Sequence, residues 1–165
     1  MSRILPGAVL VAPVWSPDGR QIAFVRARQL LLIPRSGGRA RFLRTGTDVY
    51  PGGISWSPDG TRIAFSGGVG LRTIDVRSGT VTQVTTKYDL QPAWSPDGTQ
   101  ILFRSTVRAD GDRNYSHPSW SRDGRRITFE YGHEIDVADR DGSNEHRITR
   151  PSAPQIVDAR PVWRP

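Results

Sequence analysis

Four stretches of this sequence align without a gap: PVWSPDGRQIAFV (13–25), ISWSPDGTRIAFS (54–66), PAWSPDGTQILFR (92–104) and PSWSRDGRRITFE (118–130). A fifth, PVWRP (161–165), begins the same pattern. The tryptophans fall at 15, 56, 94, 120 and 163, so successive spacings are 41, 38, 26 and 43 residues. Each stretch reads as a β-hairpin. An apolar residue and Trp end one strand. In Ser-Pro-Asp-Gly, Pro presets φ, Asp bonds back to the local backbone, and Gly takes the left-handed position that closes a bulged turn. Beyond the turn, Ile22 and Phe24 stand two apart and face one side of the next strand; Ile63/Phe65, Ile101/Phe103 and Ile127/Phe129 repeat this placement. A helix is excluded by the recurring Pro and Gly and by an apolar period of two.

Between the hairpins lies a second pair of expected strands. These are Gln29–Ile33 and Arg41–Leu43, Leu71–Val76 and Val81–Thr85, and Glu134–Ala138 and His146–Thr149. Two hairpins in about 40 residues make one four-stranded blade of a β-propeller. The expected fold is therefore all-β: a single propeller domain over 1–165, with repeats starting near 13, 54, 92 and 118 and a partial one at 161. The third unit, from Trp94 to Trp120, is short and lacks the second hairpin, so about four blades are expected, in an open or partial ring. Arg3–Leu5 and Pro161–Trp163 are the strands expected at its two ends.

The phrase WSPDG-x-x-I-A-F, with a D-x-D-G-S-N turn ahead of a strand ending in Ile-Thr, resembles the WD-like propeller repeats of TolB-type proteins. The resemblance covers residues 13–165. It implies a propeller that engages protein partners, as in the Tol–Pal envelope system. TolB proteins have six blades and an extra amino-terminal domain, where this chain offers four units. In the fourth unit Arg122 stands where the turn has Pro. Related repeats also form the propeller of prolyl oligopeptidase-type peptidases, which gives the alternative: the propeller portion of such an enzyme, whose catalytic domain is missing from this chain.

Composition narrows the function classes. The chain carries 22 Arg and one Lys against 16 acidic residues, a net charge of +7, but the basic residues are dispersed. A dedicated nucleic-acid surface is not expected. There is no cysteine, hence no disulfide and no thiolate metal site. No run approaches the ~20 apolar residues of a membrane helix. Met1–Pro13 does not read as a secretory signal. The default placement is cytoplasmic, or periplasmic or extracellular if an amino-terminal part precedes this sequence.

No catalytic constellation is expected, and no cofactor or metal. The histidines 117, 133 and 146 are scattered at strand ends and loops, and there is no Gly-x-Ser-x-Gly elbow. Asp110–Asn114 alternates oxygen ligands as calcium loops do, yet lacks the Gly and Glu such loops require; Asp139–Ser143 is similar but sits where the repeat puts an ordinary hairpin turn. Asp18, Gly19, Asp59, Gly60, Asp97, Gly98, Asp123 and Gly124 recur at one turn position and read as structural. The irregular connection from Arg104 to Ser116 is different. Its Arg108, Asp110, Asp112, Arg113 and Tyr115 mix charge with an aromatic ring on an exposed loop, the composition of a protein contact. The function expected is a non-enzymatic interaction or scaffold module with a protein partner, with homo-oligomerisation as a way to complete the ring.

Overall fold

A computed structural model describes residues 10–105, 115–132 and 134–149. The strands expected at Arg3–Leu5 and Pro161–Trp163 lie outside these residues. The described chain is a series of antiparallel sheets. The first comprises β1 (Leu10–Trp15), β2 (Gln21–Arg26), β3 (Gln29–Pro34) and β4 (Arg41–Leu43). The second comprises β5 (Val49–Trp56), β6 (Arg62–Gly67), β7 (Leu71–Asp75) and β8 (Val81–Gln83). The third has β9 (Asp89–Trp94) and β10 (Ile101–Ser105) alone; the fourth has β11 (Tyr115–Trp120), β12 (Arg126–Tyr131), β13 (Glu134–Asp139) and β14 (His146–Arg147). Within each sheet the strands lie in chain order. The leading strands β1, β5, β9 and β11 pack successively against one another, so the sheets are propeller blades ranked around an axis. Among the described residues, the first and fourth blades do not pack together, and the ring is not closed. The outermost strands are shorter than the sequence indicates, stopping at Gln83 and Arg147.

The four turns share one bonding scheme. Ser16, Ser57, Ser95 and Ser121 donate their hydroxyls to Asp18, Asp59, Asp97 and Asp123 at 2.6, 2.5, 2.7 and 2.7 Å. Each Asp in turn accepts the backbone N–H two residues on, at Arg20, Thr61, Thr99 and Arg125. Gly19, Gly60, Gly98 and Gly124 lie at φ +65° to +70°, where a side chain is disfavoured. Arg122 leaves the scheme intact, with Gly124 N–H still bonded to the Ser121 carbonyl at 3.0 Å.

Blades interlock by a repeated contact. The indole of Trp56 reaches back to the first blade and that of Trp120 to the third. The rings of Pro17, Pro58 and Pro96 lie beneath Gly60, Gly98 and Gly124 of the following blade. The Ile/Phe face of β6 looks toward the preceding blade. Ile63 and Phe65 are fully buried in a core shared with Ala23, Val25, Leu30 and Leu32 of the first blade. No described sheet precedes the first blade, so Ile22 and Phe24 are only half-buried and Trp15 is 56% exposed, against 7% for Trp56 and 8% for Trp120.

Candidate functional site

In every blade the first hairpin carries an irregularity just before the Trp. Leu90 pairs with Arg104 and Ala93 with Leu102, so Gln91 and Pro92 together oppose Phe103. Ser116 pairs with Glu130 and Ser119 with Thr128, so His117 and Pro118 oppose Phe129. Proline has no N–H to give the ladder, and a bulge is where a sheet tolerates it. The first bulged residue lies in the left-handed region: φ is +56° at Gln91 and +52° at His117, each before Pro, and +96° at Gly53, which precedes Ile54. For residues with a side chain this costs about 1–2 kcal/mol each.

The two bulges are joined. His117 N–H donates to Oε1 of Gln91 at 2.9 Å, from the fourth blade to the third. The His117 imidazole Nδ1 meets Glu130 Oε2 at 2.9 Å, and Ser116 Oγ donates to the same oxygen at 3.1 Å. The serine thus bonds to the carboxylate and not to the imidazole, so this trio orients a ring and does not activate a nucleophile. His117, expected at a strand end or in a loop, is inside β11.

Tyr115 opens β11 and lies edge-on to Phe129, with centroids 5.0 Å apart, and 5.4 Å from Tyr131. Arg147 sits over Tyr131 at 6.0 Å, and it pairs with Glu134 and with the buried carboxylate of Asp136. These two carboxylates and their bonds hold the guanidinium in its charged form, with its pKa raised despite the opposing cost of desolvation. The result is an aromatic cluster with a fixed cation at one end of the fourth blade, where the connection from β10 arrives. Of the five contact residues expected from sequence, Tyr115 belongs to this cluster. Arg108, Asp110, Asp112 and Arg113 lie outside the described residues, as do His133 and the oxygen-rich stretch at 110–114.

Other candidates resolve into local structure. Asp141 accepts the N–H and hydroxyl of Ser143 at 2.9 and 2.6 Å, and Asp139 accepts from Asn144, so the second oxygen-rich stretch is a bonded hairpin turn. His146 Nδ1 meets the Asn144 carbonyl at 2.8 Å. Among the described residues, no three His, Asp or Glu side chains converge as metal ligands. No described helix is long and apolar enough to cross a membrane. Two clefts, lined by Ser16, Trp56 and Asp59 and by Gly60, Asp75 and Ser78, lie beside the turns of the first two blades, away from the aromatic cluster.

Sequence reasoning missed Gln91, His117 and Glu130. The signal was present: a proline one residue before the strand-ending Ala93-Trp94 and Ser119-Trp120 marks a bulge, and a bulge re-aims the side chain that precedes it.

Strand order, blade packing and the repeated turn define a β-propeller with TolB-like blades. Two solved structures share this fold. TolB from Acinetobacter baumannii superposes with a TM-score of 0.69 at 18% identity, over 86% of this chain and 44% of that one. The putative TolB from Agrobacterium tumefaciens gives 0.61 at 19% identity, over 85% and 80%. The chain thus spans less than half the length of the Acinetobacter protein. No family model matches the sequence, and no curated protein does.

Proposed function

We propose that this chain is a non-enzymatic protein-interaction module, with a contact surface at the end of the fourth blade around Tyr115, Tyr131 and Arg147. The observation that carries the reading is the geometry of that cluster. Tyrosines beside an arginine held in place by two carboxylates offer large, rigid contact area at small entropic cost, the make-up of interface anchors. Support also comes from the strained bulges beside it, since left-handed non-glycine residues persist where the surroundings fix them for a purpose. The expected segment Arg108–Arg113 leads directly into this surface along the chain.

A photoreactive amino acid placed at Tyr115 tests this. Discrete crosslinked adducts from position 115, with none from the exposed turn position Arg20, are the expected result. Equal labelling from both positions, or robust turnover in a panel of ester and peptide substrates, would overturn it.

A further inference from the structure

Among the described residues, the third blade has an open edge in the middle of the arc. In the other three blades the second strand is paired on both sides: β2 between β1 and β3, β6 between β5 and β7, β12 between β11 and β13. Over Ile101–Phe103, β10 pairs with β9 alone among the described residues. This edge carries no proline or lysine to blunt it, and Phe103 is 38% exposed where Phe65 is fully buried and Phe129 nearly so. An edge of this kind templates an added strand. The connection from Ser105 to Tyr115 is also much shorter than that from Arg26 to Val49, which carries both outer strands of the first blade.

We infer that β10 binds an extended strand donated by a protein partner, which takes the place of the third strand of this blade. The chemistry of that strand can be read from the three complete blades, because the register is the same in each. The positions equivalent to Ile101 face Ile33, Ile74 and Ala138. Those equivalent to Leu102 face Leu32, Thr73 and Val137; those equivalent to Phe103 face Leu31, Arg72 and Asp136. The residue before these is Leu30, Leu71 or Ile135. The partner strand therefore runs antiparallel to β10 with the pattern aliphatic, any residue, Leu/Thr/Val, Ile/Ala. The position that varies most in character is the one opposite Phe103, where the complete blades have Leu31, Arg72 and Asp136. Specificity comes from the small and aliphatic residues on either side of it, most of which are buried in the complete blades.

This inference rests on the reading of the chain as an interaction module, but it concerns a different element from Tyr115, and its test reads out separately. The probe is a synthetic peptide with the sequence of residues 70–76, GLRTIDV, added to the full chain and followed by residue-resolved amide hydrogen exchange. The amides of Ile101–Phe103 that point away from β9 are expected to exchange freely alone and to be protected by the peptide. A peptide with proline in place of its threonine, which cannot complete the ladder, is expected to give no protection. The register makes a sharper demand. The peptide's arginine lies opposite position 103, so Phe103→Glu should tighten binding and Phe103→Lys weaken it, each by about two- to fivefold. Three results overturn the inference: no protection by the peptide, equal effects of the two charge substitutions, or protection already complete in the free protein. In the last case the edge is covered by the chain's own connection or, if protection grows with protein concentration, by a second copy. Loss of crosslinking at Tyr115 with retained protection at β10 would sink the Tyr115 surface and leave this site standing.

Discussion

The indole N–H of Trp56 donates to the backbone carbonyl of Val14 across a blade boundary, at 3.2 Å. Trp120 repeats the contact with Ala93 at 3.1 Å. Trp94, the tryptophan between them, does not: its Nε1 is buried without a partner, and the Arg62 guanidinium lies over its ring at 5.0 Å. At that boundary Ser55 Oγ accepts the backbone N–H of Trp94 instead.

This difference ranks two substitutions. Trp56→Phe removes this cross-blade bond, while Val14 keeps its place in the ladder opposite Ala23, and is expected to cost about 0.5–1.5 kcal/mol beyond the lost packing. Trp94→Phe removes an unsatisfied donor along with some packing, and its cost should stay below about 1 kcal/mol. Urea unfolding of both variants measures the gap; equal costs would show that the indole bond contributes nothing.

Arg122→Pro should stabilise the protein by about 0.4–1 kcal/mol. The fourth turn has the same Ser-to-Asp bond and the same Gly124 N–H to Ser121 carbonyl bond as the turns that carry Pro. Proline there restricts the unfolded chain without disturbing the folded one. A lowered urea midpoint would mean that the Arg122 backbone departs from the common turn.

Two glycines with positive φ should respond differently to alanine. Gly19 has φ +65° and open space around its missing Cβ, so only the left-handed penalty applies, about 1–2 kcal/mol. Gly70 has φ +93°, and a Cβ there would overlap the Thr85 carbonyl, which is backbone and cannot swing aside. Gly70→Ala is expected to cost about 3 kcal/mol or more. Thermal unfolding that fails to separate the two variants would contradict the packing around Thr85.

The Asp97 carboxyl is held far below the ordinary carboxylate range. The main cause is Arg140 of the next blade, bonded to it at 2.7 Å, followed by the hydroxyls of Ser95 and Thr99. Asp18, Asp59 and Asp123 are lowered too, chiefly by their turn serines. A carboxyl whose folded pKa is depressed contributes stability that is present above its unfolded pKa and lost as pH falls through the folded one. Stability should therefore hold above about pH 5 and decline below about pH 4. Arg140→Gln should raise the Asp97 titration toward those of Asp18 and Asp123 in a carbon-13 carboxyl titration. An unmoved Asp97 would contradict the clamp.

The hairpins were legible because a tight bulged turn needs Pro, Asp and Gly in order, and no other fold element uses that order at a fixed distance from Trp. The Arg140 clamp on Asp97, Thr99 and Gln100 was not legible, because nothing local ties an arginine to a turn in another blade. The half-burial of Ile22 and Phe24 was likewise hidden. Their alternation is the same as that of Ile63 and Phe65, and only the absence of a described sheet before the first blade separates them. Of the site, the sequence marked the connection into β11. The prolines marked the bulges but not the left-handed backbone of Gln91 and His117, because proline biases the residue before it toward extended conformations and only the register of the bulge reverses that.

Most of the largest fully buried side chains (Phe65, Ile63, Leu71, Ile74 and Val49) belong to the second blade, which combines four strands with a neighbour on each face, where the third blade has two neighbours but only two described strands. That makes it the keystone of the arc. Blades that lean on one neighbour fray before a blade held between two, as in any stack whose units touch only the next. Amide exchange should therefore be slowest in β6 and β7 and quicken toward both ends, so that surfaces on the third and fourth blades can reshape while the keystone keeps its form.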